Sequence, residues 1–151
     1  MSESVSTLPV REVMTKEPMA VHRDMTIGEL IILFDHHDYN GFPVVDEEGV
    51  LGGIVTKLDL LNLLRPDATF EVPDLASISD LPVNRIMRHG IITVEPDDVI
   101  AIVADLMVET RLRSIPVVQR HSGKPVLVGI VSRNDLLRRF LTEARAEPHQ
   151  R

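Results

Sequence analysis

The stretch Gly53-Ile54-Val55-Thr56-Lys57-Leu58-Asp59 returns later in the chain as Gly129-Ile130-Val131-Ser132-Arg133-Asn134-Asp135. Each copy consists of a glycine, an apolar strand, a hydroxyl residue and, three residues further on, a carboxylate. A hydroxyl and a carboxylate at this spacing are typical of a capping box, in which the two side chains satisfy the first free N–H groups of a helix. Each copy therefore predicts a strand followed directly by a helix.

An internal repeat extends outward from this motif. Val10-Arg11-Glu12-Val13-Met14 matches Val83-Asn84-Arg85-Ile86-Met87 at an offset of 73 residues (83 − 10), and the same offset relates Pro43-Val44-Val45 to Pro116-Val117-Val118. A small hairpin insertion near His121-Ser122-Gly123-Lys124 then raises the offset to 76 (129 − 53). A repeat of this length defines the unit of folding, so the two copies are expected to share one fold.

Each copy predicts the order β-α-β-β-α. Short extended pieces are expected at Met19–Val21 and Ile92–Val94, each followed by an amphipathic helix, two apolar strands and a second helix. The fold class is therefore α+β, with two tandem repeats related by a pseudo-two-fold axis, their small sheets packed together and their helices outside. The boundaries are expected at 9–65 and 82–142 for the repeats, 66–81 for the linker, and 1–8 and 143–151 for the tails.

The first helix of each copy carries an apolar stripe at helical spacing, which predicts the face that is buried. Thr26 and Glu29 are expected to form a capping box for the first copy, and Asp97 or Asp98 to cap the second. The predicted stripes consist of Ile27, Leu30, Ile31 and Phe34 in the first copy and Ile100, Val103 and Met107 in the second.

The amino-acid composition limits the classes of partner and the compartment to be expected. A net charge of -7 and an aromatic share of 3% argue against nucleic-acid partners, which are bound by basic faces and aromatic stacking platforms. No apolar run approaches the roughly 18 residues of a membrane span. The absence of Cys fits a reducing compartment, so the expectation is a cytoplasmic protein without disulfides or thiolate metal sites.

The repeated hydroxyl–carboxylate motif has a structural and a functional interpretation, and the two are compatible. As a capping box it only starts the following helix. As a binding site, the same helix N-terminus favours an anion such as phosphate, and an Asp one turn in could accept hydrogen bonds from both ribose hydroxyls.

The repeat order, the Pro-Val-Val strand and the duplicated motif together resemble a pair of CBS (cystathionine β-synthase) domains, also called a Bateman module, from about Val10 to Phe140. The resemblance implies a cleft between the repeats with two related sites for AMP, ADP, ATP, S-adenosylmethionine or a similar ligand. It also implies no required cofactor, and a homodimer that regulates an unknown protein in trans.

The resemblance also assigns residues. Asp59 and Asp135 would bind ribose, and Thr56 and Ser132 would lie near ribose or phosphate. The adenine would be walled by the residues that flank the apolar strands, for which plain core packing is the alternative: Ala20, Val21, Phe42, Pro43, Thr93, Val94, Ile115 and Pro116.

The two copies differ in positive charge. Where the family often has a basic residue that reaches phosphate, this chain has Asn40 in the first copy and Arg113 in the second, and Arg133 adds a further cation to the second. Guanidinium groups pair well with phosphate oxygens, so a polyphosphate is expected to prefer the Asp135 site. The alternative is that some of these arginines belong to a solvated helix face.

The sequence predicts no catalytic residues and no metal site. The six histidines show no His-Glu-x-x-His or His-x-His spacing, and no nucleophile elbow, Walker loop or dinucleotide fingerprint is present. The expected function is a regulatory module that binds an adenine nucleotide or S-adenosylmethionine. The alternative is a dimeric interaction or assembly module that has no physiological nucleotide.

Overall fold

The computed structural model describes residues 7–66 and 74–146. Its regular elements, in chain order, are β1 (Thr15–Lys16), β2 (Val21–His22), α1 (Ile27–His36), β3 (Gly41–Val45), β4 (Leu51–Thr56), α2 (Lys57–Leu63), α3 (Leu75–Ser79), α4 (Ile100–Thr110), β5 (Ser114–His121), β6 (Lys124–Ser132) and α5 (Arg133–Ala146). The mixed α/β class and the predicted order of helices and strands are confirmed. The exception is the opening strand of the second copy, which is reduced to a single parallel bridge between Val94 and Val117.

The chain forms two compact units. One consists of the described parts of Met1–Pro18 and Ile92–Arg151, and the other is Met19–Ile91. The first unit contains an antiparallel sheet in the order β1-β6-β5. The second contains a sheet in the order β2-β3-β4, in which β2 is parallel to β3 and β4 is antiparallel to it. Each unit thus has a three-stranded sheet with helices of its own.

The units do not coincide with the sequence repeats. The first unit joins the leading segment of the first repeat (9–18) to the body of the second repeat, and the second unit joins the leading segment of the second repeat (82–91) to the body of the first. Val10 N–H donates to the Asp98 carbonyl at 2.7 Å in the first unit, and Val83 N–H donates to the Met25 carbonyl at 2.8 Å in the second. Both bonds follow the same offset, since 98 − 25 and 83 − 10 both equal 73. The start of each repeat therefore packs against the body of the other.

Seven buried positions form the core of each unit, and they match one to one through the repeat offsets. Burial of these apolar side chains is the main stabilising term for each unit. The second unit buries Val21, Leu30, Phe34, Phe42, Val44, Val55 and Val83. The first buries Val94, Val103, Met107, Ile115, Val117, Val131 and Val10 at the corresponding places.

The predicted helical stripes are confirmed except at one position. Ile27, Leu30 and Phe34 are buried, whereas Ile31 is exposed. Ile31 follows Leu30 by one residue, about 100° around a helix, and this rotation places it on the outer side beside the equally exposed Ile32.

The two amphipathic helices begin differently. Thr26 accepts a hydrogen bond from Glu29 N–H at 3.2 Å, and its hydroxyl donates to the Glu29 carboxylate at 3.0 Å. The predicted cap at Asp97 or Asp98 is wrong. The N-cap position of α4 is Val99, without a side-chain cap, because Asp98 instead accepts from Glu95 N–H and Asp97 pairs with Arg11.

The expected linker contains regular structure. Asp74 caps the short helix α3 by accepting from Ala76 N–H at 3.1 Å, and Ser79 of this helix lies close to Gly28 of α1. At the other end, α5 runs to Ala146, four residues into the predicted polar tail, and residues 147–151 lie outside the described part. Across residues 7–66 and 74–146, every helix is too short or too polar to cross a bilayer.

We predict that Gly53→Ala lowers the free energy of unfolding by about 1–3 kcal/mol, the usual cost of overpacking. A Cβ at Gly53 would lie 2.5 Å from the Arg88 carbonyl oxygen, which is backbone and cannot turn away. Gly52→Ala is the matched control, since its Cβ would meet the Met87 methyl group at 3.6 Å and the Val44 carbonyl oxygen at 3.9 Å, both at ordinary van der Waals distance. Urea unfolding of both variants checks the difference, and equal stabilities would contradict the close approach.

We also predict that Val10→Ala lowers the free energy of unfolding by about 2 kcal/mol, because two methyl groups leave a fully buried site. Glu12→Ala in the same turn is exposed and should stay within about 0.5 kcal/mol of the parent. Thermal and urea unfolding measure both. A neutral Val10→Ala would mean that the leading segment does not support the unit.

Candidate functional site

The first candidate site lies where β4 meets α2. Thr56 N–H and the Thr56 hydroxyl both donate to Asp59 Oδ2, at 2.8 and 2.9 Å, and Asp59 N–H donates to Thr56 Oγ1 at 3.3 Å. The predicted capping box is therefore confirmed. It fixes the carboxylate one turn inside the helix and uses only one of its two oxygens.

The second candidate site has the same construction between β6 and α5. Ser132 N–H donates to Asp135 Oδ2 at 2.8 Å, and Asp135 N–H donates to Ser132 Oγ at 3.1 Å. The two carboxylate side chains are also equally buried, with exposed fractions of 10% for Asp59 and 11% for Asp135. The repeat thus produces two equivalent, partly sheltered carboxylates at helix N-termini.

The remaining carboxylate oxygen distinguishes the two sites. Asp59 Oδ1 accepts a hydrogen bond from Arg88 Nε at 2.8 Å, which makes a close ion pair. Asp135 Oδ1 lies 3.8 Å from an Arg138 guanidinium nitrogen, beyond hydrogen-bond distance. The outer oxygen is therefore occupied at Asp59 and much less engaged at Asp135.

Asn40 and Arg113 lie beside these helix starts. The Asn40 carbonyl accepts from Lys57 N–H at 3.0 Å, and the Arg113 carbonyl accepts from Arg133 N–H at 2.9 Å. Both side chains are exposed, and Arg113 makes no side-chain hydrogen bond or ion pair with any residue that the structure describes. Arg113 is therefore available to an anion at the second site.

Arg133 has a different environment. Its guanidinium donates to the carbonyls of Leu112 at 3.0 Å and Arg111 at 2.6 Å, just past the end of α4. Arg111 has a φ of 61°, a left-handed conformation that is costly for a residue with a Cβ. Arg133 thus stabilises the turn after α4.

The residues expected to wall an adenine lie on or next to strands of the two sheets. Phe42 and Pro43 are on β3 and Ile115 and Pro116 are on β5, all four buried. Ala20 and Val21 lie at the start of β2, and Thr93 and Val94 at the Val94–Val117 bridge. Of these last four, Val21 and Val94 are buried and Ala20 and Thr93 are half-buried. The six buried residues also belong to the strand packing of each unit.

Arg88 was not expected at the site. It reaches Asp59 because Ile54 of β4 pairs with Arg88 in an antiparallel bridge, just as Ile130 of β6 pairs with Thr15. Through the offset of 73, Arg88 takes the place of Thr15. Aligning the two leading segments reveals this replacement, but not which carboxylate the arginine meets.

A histidine–carboxylate cluster was not anticipated either. Ligand atoms of His22, Asp24 and Glu47 lie within 4.8 Å of one another, although the three residues come from β2, the loop after it and the β3–β4 turn. His22 Nδ1 already accepts from Asp24 N–H at 3.1 Å, and both carboxylates are exposed. Such surface groups commonly gather without an ion, so this cluster carries no assignment.

Solved structures share the fold. The chain superimposes with a TM-score of 0.76 on CBSX2 in complex with AMP, at 26% identity, covering 91% of this chain and 99% of that one. With the CBS domain pair of protein MJ0100 in complex with 5′-methylthioadenosine and S-adenosyl-L-methionine, the TM-score is 0.69 at 26% identity, covering 91% and 98%.

Several proteins are similar to this chain in sequence. A CBS domain-containing protein from Bacillus subtilis, YhcV, is 30% identical over 127 residues, covering 84% of this chain and 81% of the relative. Other relatives are longer, and the chain spans 23% and 33% of the length of two proteins from Methanocaldococcus jannaschii. The CBS domain family model matches residues 10–66 and 83–142. Because both halves of the chain match this model and the fold agrees, the protein belongs to the CBS domain family.

Proposed function

We propose that the protein is a regulatory module that binds an adenosine-type ligand at Asp59, Asp135 or both. The observation that carries the proposal is the duplicated carboxylate at a helix N-terminus. One oxygen is fixed by the capping box, and among the described residues the other meets the guanidinium group of an exposed arginine. A carboxylate oxygen held in this way can accept hydrogen bonds from a ribose diol.

The related structures support an adenosine-type ligand. CBSX2 was solved with AMP, and the MJ0100 domain pair with 5′-methylthioadenosine and S-adenosyl-L-methionine. These ligands share adenine and ribose and differ at the 5′ position. We therefore infer that the common adenosine part selects the ligand class for this chain, while charged residues near each carboxylate select the 5′ group.

The residue roles follow from this proposal. Asp59 and Asp135 bind the ribose hydroxyls, and Thr56 and Ser132 orient the two carboxylates. The adenine lies against the residues expected as its walls, Ala20, Val21, Phe42 and Pro43 for one copy and Thr93, Val94, Ile115 and Pro116 for the other. For phosphate, Arg113, which has no side-chain partner in 7–66 and 74–146, is better placed than Arg133, which the end of α4 already uses.

Regulation requires that the ligand prefer one shape of the module over another, since only differential affinity shifts an equilibrium. We infer that the shape stabilised by the ligand is recognised by a separate protein. The adenosine-type ligand is then a signal and is not consumed.

The proposal predicts that AMP, ADP, ATP or S-adenosylmethionine raises the stability of the protein, by about 2.7 kcal/mol at 100 times its Kd. Asp59→Asn and Asp135→Asn should each weaken binding at their own site, because the loss of charge weakens the bond to a ribose hydroxyl. The double variant should show no shift. Thermal unfolding and titration calorimetry measure both effects.

Asp74→Asn is the matched control for these variants. Asp74 also caps a helix through its carboxylate, but it stands outside the duplicated motif. It should change the intrinsic stability slightly and leave the ligand-induced shift unchanged. If none of the four ligands at millimolar concentration stabilises the parent protein, nucleotide sensing is wrong for these ligands.

A second candidate function is a dimeric interaction module, and the exposed apolar side chains favour it. Leu58 and Leu61 on α2 and Leu137, Phe140 and Leu141 on α5 are all more than half exposed. In α5 the spacing of three and four residues places Leu137, Phe140 and Leu141 on one face of the helix. Since apolar faces of this kind are usually covered, we infer that a second copy of the chain covers them, through a self-complementary interface.

We therefore predict that the parent protein has twice the chain mass in light scattering, and that Leu137→Glu with Leu141→Glu shifts it toward the monomer. Charged side chains cannot be buried without a partner, so the interface is lost. Val108→Glu on α4 is the control, because Val108 is also exposed but lies on another helix. A monomeric parent would exclude the dimer.

A further inference from the structure

We propose that Arg88 makes the Asp59 site selective for phosphorylated ligands, because it covers the carboxylate until a phosphate group draws it away. The inference rests on the proposed function, since it takes Asp59 as the ribose-binding residue. It adds a specificity residue that lies outside the duplicated motif and whose counterpart at the Asp135 site is the uncharged Thr15.

The first observation in support concerns the hydrogen bonds that the Asp59 carboxylate accepts. Oδ2 accepts two hydrogen bonds from Thr56, and Oδ1 accepts one from Arg88 Nε at 2.8 Å. Both oxygens are engaged, so a ribose diol that binds Oδ1 must compete with Arg88 for this oxygen. A neutral nucleoside offers the displaced guanidinium nothing in return, and breaking the ion pair therefore weakens its binding.

The second support is the state of Arg88 itself. Its side chain is 57% exposed, and only Nε makes a hydrogen bond to a residue that the structure describes. The two terminal nitrogens remain as donors, in the planar arrangement that matches phosphate oxygens. A 5′-phosphate can therefore replace the carboxylate as the partner of Arg88, and the ribose can take the released oxygen.

The third support is the contrast with the other copy. The position of Arg88 corresponds to Thr15, which has no charge, and the Arg138 guanidinium lies 3.8 Å from Asp135 Oδ1. A nucleoside at Asp135 displaces no hydrogen-bonded arginine. The two sites therefore differ in ligand class. The Asp59 site discriminates against adenosine, 5′-methylthioadenosine and the sulfonium cation of S-adenosylmethionine, whereas the Asp135 site discriminates less.

The test compares AMP with adenosine by titration calorimetry in the full chain carrying Asp135→Asn, which leaves the Asp59 site to be measured alone. Arg88→Thr introduces the residue that the other copy has at this position. We expect it to strengthen adenosine binding and not AMP binding to the same extent, so that the ratio of AMP to adenosine affinity falls by about threefold to tenfold. This is the range that one or two exposed charge-assisted bonds support.

Two further variants isolate the effect. Arg85→Thr removes an equal charge from the same leading segment without touching Asp59, and it should leave the ratio unchanged. Arg88→Gln, which keeps a long polar side chain, should reproduce the fall in the ratio if Arg88→Thr folds poorly. In the Asp59→Asn background, Thr15→Arg should raise the ratio at the Asp135 site.

The outcomes separate this inference from the proposed function. If AMP and adenosine bind and neither Arg88 variant changes their affinity ratio, the role of Arg88 is wrong and nucleotide sensing stands. A loss of both affinities by the same factor would show that Arg88 only positions Asp59, and it also overturns the selectivity. If neither compound binds any variant or the parent, the selectivity is overturned, and the proposed function is then decided by the stability test with ADP, ATP and S-adenosylmethionine.

Discussion

Burial of one valine in each unit, Val10 in the first and Val83 in the second, joins pieces of chain that lie far apart in sequence. Each valine is fully buried among side chains from the body of the other repeat, and each leading segment is tied there by backbone hydrogen bonds. The apolar burial is non-directional, but the backbone bonds fix the register of the segment. The residues that follow in each leading segment are thereby held in position. They include Thr15 and Arg88, which lie beside the duplicated hydroxyl–carboxylate motif.

The close approach of the leading segment explains the glycines that open the motif. Met14 and Thr15 pass over Gly129, and Met87 and Arg88 pass over Gly53, at distances that leave no room for a Cβ. The same glycine thus lets the leading segment join the sheet and brings residue 15 or 88 to the end of the strand. The motif and the leading segment that covers it form one structural arrangement, which occurs twice in the chain.

The motif can cap its helix and still present a carboxylate oxygen to other groups, because these two uses involve different oxygens. Its hydrogen bonds hold one carboxylate oxygen and satisfy the first N–H groups of the helix, which is a local stabilising effect. The second oxygen is left to contacts from outside the motif. Since the two copies share the first use and differ in the second, a common scaffold holds two carboxylates in chemically distinct surroundings.

The sequence by itself determined the repeat, the order of helices and strands, the two capping boxes and nearly all of the buried stripes, because these depend on periodicity and on contacts within a few residues. It did not determine the exposure of Ile31 or the uncapped start of α4, where Asp97 and Asp98 bond elsewhere. Only the tertiary structure brought Arg88 to Asp59, 29 residues away, and Arg133 to the end of α4. Both contacts depend on which surfaces meet after the chain has folded, and spacing along the sequence contains no record of that.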